Sequence, residues 1–213
     1  MIRVYDNVLP AYDFKIVHDE VMHFDFPWNF GRKGSVTDEI TNPFLYGFVR
    51  TVRNDGITLY DPRGTFERTV RLALGYCGEK VKDIIRIRVI QNMVADKNYE
   101  FGTHIDLEYP HRVGLFYLND SDGDTIVYNE KFDPALHKDR GGYSVDNITK
   151  PNEFTIKETV APKANRIVIF DGQHYHSGKT PTTVARRVAI NIGYTVDEEM
   201  IHSHTPTPTL TLV

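Results

Sequence analysis

Behind Pro10, apolar residues recur every three or four positions at Phe14, Val17, Val21 and Phe24; Phe66, Val70, Ala73, Leu74 and Cys77 repeat the pattern over residues 65–76. Both runs predict amphipathic helices. Cys77 falls on the apolar face of the second, which makes it a core thiol rather than a nucleophile. From about residue 84 the period changes. "IIRIRVIQNMV", "RVGLFYL", "DTIVY", "EFTIKETV", "NRIVIF" and "RVAINIGY" are short apolar-rich runs with Gly, Asp, Asn or Pro nearby, which reads as a series of β-strands. A strand-like start at Ile2 and Val4 precedes the first helix. N-terminal helices followed by many strands predict a mainly β, α+β chain, a sandwich or jelly roll with helices packed on one side.

Two stretches lack periodicity. Residues 129–152 read as one long loop, and residues 30–60 carry no legible motif; both are expected to govern what enters a site. "PWNFGRKGS", with Trp28, is either part of an entrance or a surface turn. The final "HSHTPTPTLTLV" reads as a tail, so His202 and His204 are assigned to it rather than to a metal. A chain of 213 residues suits one domain, divided into helical support over 1–83, a jelly-roll core over 84–195 and a tail over 196–213.

Composition narrows the class. Twelve Tyr and twelve Phe favour β structure, and a net charge of -4 gives no electrostatic reason to expect a nucleic acid or an anionic membrane as a standing partner. Cys77 is the only cysteine, which excludes an intrachain disulfide and a cysteine-based zinc knuckle. The N-terminus lacks the basic start and apolar run of a secretion signal, and nowhere do eighteen apolar residues run together, so a soluble cytoplasmic protein is expected.

The strongest chemical signal is "THIDLEYPH". On an extended segment His104 and Asp106 point to one side and can share a metal ion. "FDGQHYHSG" offers a third ligand, but His174 and His176 are two apart, and periodicity does not separate them. Two imidazoles and one carboxylate suit Fe(II) with open positions, and tetrahedral zinc accepts the same donors. Arg186 and Arg187, at the head of the last strand, add discrimination: a guanidinium fork there takes a carboxylate, which a dicarboxylate-using enzyme needs and a zinc hydrolase does not. "DSDGDTIVYNEK" misses the calcium-loop pattern, and His111 is expected at a pocket rim or exposed. No phosphate loop and no Ser/His/Asp elbow is present.

In order and spacing, His-x-Asp, "GDTIVY", "NRIVIFDGQHYHSG" and "RRVAINIGY" resemble the Fe(II)- and 2-oxoglutarate-dependent dioxygenases, in particular the small prolyl-4-hydroxylase-like members of bacteria and phages. The resemblance covers roughly residues 85–195 and, more loosely, "VYDNVLPAYDF". It implies a double-stranded β-helix, a cupin-like jelly roll, in which His104, Asp106 and His176 hold Fe(II). Here the family's Phe-Asp-Gly-x-x-x-His-Ser/Ala-Gly pattern selects His176 and leaves His174 at a variable position. Arg187 is implied as the anchor of the far 2-oxoglutarate carboxylate, with Arg186 in reserve; Ala189 stands where many relatives carry a serine. Thr125, after the turn at Gly123-Asp124, is implied to line the pocket, Asn92 and Arg88 to form a polar wall, and Tyr117 to bond the cosubstrate or fill the core.

The implied reaction is hydroxylation of a peptide or small molecule, a prolyl residue or proline first, by O₂ with release of succinate and CO₂, ascorbate being a candidate reductant. The rival reading is a non-redox cupin-like metal-binding protein or isomerase.

Overall fold

Two sheets and two helices make up the described part of the chain. The structure, a computed structural model, describes residues 1–31, 46–133 and 154–197. Helix α1 spans Ala11–Met22 and α2 spans Thr65–Tyr76. The strands are β1 (Arg3–Tyr5), β2 (Asn29–Gly31), β3 (Gly47–Asn54), β4 (Ile57–Thr58), β5 (Val81–Met93), β6 (Arg112–Tyr117), β7 (Thr125–Lys131), β8 (Ile156–Val160), β9 (Arg166–Asp171), β10 (His174–Gly178) and β11 (Arg186–Val196). The larger sheet runs β1-β9-β6-β11-β5-β3-β2, with β4 on β3; the smaller runs β10-β7-β8. Neighbouring strands in both sheets pair antiparallel. No helix among the described residues is long and apolar enough to cross a membrane.

Each face of the larger sheet has its own core because side chains alternate along a strand. On one face Ile87, Val89, Phe116, Ile167, Ile190 and Ile192 meet Val17 and Val21 of α1 and Phe66, Val70 and Leu74 of α2. Each such burial contributes about 1.5–3 kcal/mol. The other face, with Ile90, Leu115, Tyr117, Val168, Phe170 and Ala189, packs against Val127 and Val160 of the smaller sheet. The result is a sandwich with both helices on one outer face, as the hydrophobic pattern predicts.

The helix boundaries follow local chemistry. Asp61 accepts bonds from the backbone N–H of Phe66 and Glu67, satisfying two of the donors that open α2. Cys77 ends the same helix in the core, and burial pushes its thiol up to about 11. Phe24 departs from the predicted apolar stripe. The helix stops at Met22, His23 is extended, and Phe24 is 88% exposed.

Three further expectations are corrected. Residues 1–83 supply four strands as well as two helices, so they are part of the larger sheet rather than helical support alone. Within the supposedly motif-free 30–60 stretch lies a hairpin: β3 and β4 pair around Asp55 and Gly56, both at positive φ. Asp-Gly is a favoured sequence for a two-residue turn of that kind. The predicted 129–152 loop begins later, because Asn129–Lys131 continue β7. The rest of that loop from residue 134, the segment after Gly31 in "PWNFGRKGS", and His202 with His204 lie outside the described residues.

A buried carboxylate joins the helix side to the larger sheet. Glu79, just past α2, pairs with Arg3 of β1 and Arg112 of β6 and accepts from the Tyr194 hydroxyl at 2.8 Å. Burial alone would raise its carboxyl; the Tyr194 bond and the two guanidinium groups outweigh that and hold it below the ordinary value. Because the folded value is depressed, this stabilisation is complete above the ordinary glutamate value, about 4.3, and is lost as pH falls through the folded one. Glu79→Gln should cost about 2 kcal/mol in denaturant unfolding at pH 7, and the two proteins should converge in stability on acidification.

Candidate metal centre

His104 lies on a short segment that runs beside β10. Its N–H donates to the His176 carbonyl at 3.0 Å, and the His176 N–H donates back to the His104 carbonyl at 2.9 Å. Reciprocal bonding makes the two residues a direct cross-strand pair, so their rings share a face, with centroids 4.7 Å apart. Asp106 follows two residues on. Among the described residues, His104, Asp106 and His176 form a group with ligand atoms all within 4.8 Å of one another. His176 Nε2 is 3.5 Å from Asp106 Oδ2, and His104 Nε2 is 3.9 Å from Oδ1.

Tautomers decide what these atoms offer. His104 Nδ1 lies 2.9 Å from the Gly102 carbonyl and His176 Nδ1 3.1 Å from the His174 carbonyl. A carbonyl accepts only from an N–H, so in each neutral ring the proton sits on Nδ1 and the Nε2 lone pair faces the carboxylate. His176 Nε2 is buried without a hydrogen-bond partner. Two lone pairs converging on an anion repel unless a cation stands among them, and the N₂O donor set fits a divalent transition metal. Phe170 packs edge-on to His176 at 5.1 Å and fixes the ring from below.

His174 is not part of this group. It is 2% exposed, and its Nε2 lies 3.2 Å from Lys157 Nζ, an obligate donor, which uses the lone pair a metal would need. Burial and the adjacent lysines pull its pKa below the ordinary value. A bulge between His174 and His176 breaks the strand periodicity that made the two look equivalent.

The carboxylate is held from β5 and β11. Arg86, 4% exposed, pairs with Asp106 Oδ1 and donates from Nη1 to the Asp106 backbone carbonyl at 3.1 Å. Asn191 Nδ2 donates to Oδ2 at 3.0 Å. Burial would raise the Asp106 carboxyl; the Arg86 guanidinium outweighs it and holds the group well below the usual carboxylate range. Neither Arg86 nor Asn191 was singled out from the sequence. The signal was present as polar residues recurring at even spacing, Arg86, Arg88 and Asn92, within an otherwise apolar strand.

Cross-strand register sorts the remaining candidates, since paired residues share a face. Arg187 lies opposite Asn92, Ala189 opposite Ile90 and Tyr117, and Asn191 opposite Arg88 and Leu115. Arg187 is 2% exposed and donates from Nη2 to Thr125 Oγ1 at 2.6 Å; the Tyr117 hydroxyl donates to the same oxygen at 2.8 Å. The guanidinium also sits 5.5 Å from the Tyr117 ring centroid, and a side chain at Gly178 of β10 would meet it. No carboxylate among the described residues ion-pairs with Arg187, and burial pulls its pKa below the ordinary value. Asn92 Oδ1 is likewise buried without a partner. Arg186 points to the opposite face, where it reaches Gln91 at 3.4 Å, and is partly exposed. Arg187, Thr125, Tyr117 and Asn92 are thus brought together, and Arg186 is not.

His111 corrects the expectation of an exposed position; it lies near enough to Asp106 and His176 for their charges to act on it. It is 6% exposed, with Nδ1 on the Tyr109 carbonyl at 2.8 Å, and its ring occupies the space a side chain at Gly172 would need.

The sandwich fold is shared with solved structures that carry little sequence identity to this chain. A prolyl hydroxylase from Trichoplax adhaerens, in complex with a hypoxia inducible factor peptide fragment, superimposes with a TM-score of 0.56 at 14% identity, over 91% of this chain and 83% of that one. A 2OG-Fe(II) oxygenase family oxidoreductase from Burkholderia pseudomallei gives 0.58 at 13%, over 93% and 88%. HygX from Streptomyces hygroscopicus, with nickel and 2-oxoglutarate bound, gives 0.52 at 15%, over 92% and 83%. No protein-family model matches the sequence, and no curated protein matches it.

Two measurements follow from the geometry. His176→Ala should weaken Co(II) binding, followed by its visible absorption, by more than about 100-fold, whereas His174→Ala in folded protein should change it by less than about threefold. Gly172→Ala should destabilise the protein by about 1–3 kcal/mol through overpacking against His111. In a His111→Ala background the same change should be nearly neutral, as read by a double-mutant cycle of unfolding free energies.

Proposed function

We propose that this chain is a single-domain Fe(II)- and 2-oxoglutarate-dependent oxygenase built on a double-stranded β-helix. The observation that carries this reading is Arg187: a guanidinium buried between two sheets, without a carboxylate partner among the described residues, beside Gly178. His176 and Gly178 are two residues apart on β10, which places the arginine roughly 7 Å along the strand from the candidate metal ligands. A ligand with a chelating end for the metal and a carboxylate at its other end meets both requirements, and 2-oxoglutarate is such a molecule.

His104, Asp106 and His176 would hold the metal. Bound Fe(II), with 2-oxoglutarate and O₂, supplies oxidising chemistry that yields succinate, CO₂ and a hydroxylated product. The chain's own residues orient and shield. Arg187 takes the distal carboxylate through charge-assisted bonds; Thr125 holds the guanidinium from across the gap, and Tyr117, beside it in the same sheet, packs its ring against the guanidinium and bonds the Thr125 hydroxyl. Asn92 Oδ1 offers an acceptor on the same wall. Ile90, Leu115, Val127, Val168 and Phe170 keep water from the interior, so each bond made there is stronger than it would be in solvent. A peptidyl or free proline is the first substrate class to screen; the non-redox cupin-like reading leaves Arg187 without a purpose.

Anaerobic protein with Fe(II) and 2-oxoglutarate should develop the weak visible band of the chelate, and in air should release succinate. Absence of both rejects the oxygenase reading. Each charged bond is worth about 1.5–3 kcal/mol, so Arg187→Ala should raise the 2-oxoglutarate dissociation constant by more than about tenfold, while Arg186→Ala should leave it within about twofold. The reverse pattern would move the anchor to Arg186.

A further inference from the structure

We infer that Arg86 is a positioning residue that restricts Asp106 to one metal-binding oxygen and so keeps coordination positions open; this rests on the proposed metal centre. The two oxygens of Asp106 are not equivalent. Oδ1 carries the guanidinium of Arg86 in an ion pair with both side chains almost wholly buried. Oδ2 carries only the neutral amide of Asn191, at 3.0 Å, and is the oxygen nearer the buried His176 Nε2, at 3.5 Å. A divalent cation shared by both oxygens would sit against the guanidinium at Oδ1, two cations on one atom in a site with little solvent screening. Through Oδ2 alone it meets no such charge. A carboxylate free of this constraint can chelate through both oxygens and would occupy one more position of the metal.

Arg86 is built to hold this arrangement. Its Nη1 grips the Asp106 backbone carbonyl while the other branch takes the carboxylate, so the main chain and side chain of one residue are fixed together. The side chain starts opposite Gly193 of β11, and a Cβ at Gly193 would come within 3.6 Å of Arg86 Cβ and 3.5 Å of Leu107 Cδ1. Asn191, two residues earlier on the same face, supplies the second bond. One pair of adjacent strands thus places a charged donor on one oxygen and a neutral donor on the other.

Mn(II) is the probe, since it occupies such sites without oxidative turnover. Water-proton relaxation of Mn(II)-loaded wild type should report three exchangeable positions, and Arg86→Gln should lose about a third of that relaxivity as the carboxylate closes on the metal. The same variant should bind 2-oxoglutarate at least about tenfold more weakly, within the range seen when groups behind metal ligands are changed. Arg86→Lys, which keeps the charge, should restore relaxivity. Independently of any variant, the infrared difference spectrum of ¹³C-aspartate-labelled wild type on Mn(II) loading should show the wide carboxylate splitting of one-oxygen ligation. A narrow splitting in wild type, or a folded Arg86→Gln with unchanged relaxivity and 2-oxoglutarate affinity, overturns the inference while leaving the metal site standing. Failure of wild type to bind Mn(II) rejects the metal centre itself.

Discussion

A charge enclosed between two packed sheets must have a partner, and that constraint organises the interior of this protein. Asp106 and Arg187 are both nearly inaccessible to solvent, and each is resolved differently. Asp106 is compensated within the chain by Arg86 and Asn191, with two imidazole lone pairs turned toward it. Arg187 bonds to a threonine hydroxyl and lies over the face of a tyrosine, and the Asp124 carboxylate acts on it through space without forming an ion pair; together these lower the cost of burial without cancelling the charge. Burying an uncompensated ion costs several kcal/mol, so a fold that keeps one has a use for it.

The division of labour between the two faces of the larger sheet follows from this. The face toward the helices is apolar, and the buried carboxylate beside it, Glu79, is tied to Arg3, Arg112 and Tyr194. The opposite face alternates apolar positions with Arg86, Arg88, Asn92, Arg187 and Asn191, and it is there that the candidate ligands converge. Rigid strands set these side chains at fixed intervals, which suits a site that must meet a metal and a carboxylate at once. The reciprocal backbone pair of His104 and His176 adds the remaining constraint, because it welds an otherwise irregular segment to β10.

Much of this was legible before folding. The stripe over residues 65–76 is a helix because its apolar positions fall on one face, and the short apolar-rich runs from residue 84 onward are strands. Phe24 misled because a helical period continues in sequence past the residue where the helix ends. The β3–β4 hairpin was missed although Asp55-Gly56 announces it, since Arg and Asn at the flanking positions mask the strand pattern. His111 was misplaced because a histidine next to proline and arginine looks exposed by its neighbours, whereas its burial depends on a glycine sixty-one residues later, Gly172.

The sequence by itself determined the fold class, the helices and most strands, and the pairing of His104 with Asp106, because these depend on periods of two and 3.6 residues and on neighbours in the chain. Register, bulges and burial belong to the tertiary structure. It took a bulge in β10 and Lys157 across the sheet to separate His176 from His174, and strand pairing to send Arg187 inward and Arg186 outward. Arg86 became visible as the partner of Asp106 only when β5 and the 104–106 segment were brought together, since nothing twenty residues apart in a chain reveals that two opposite charges share one buried space.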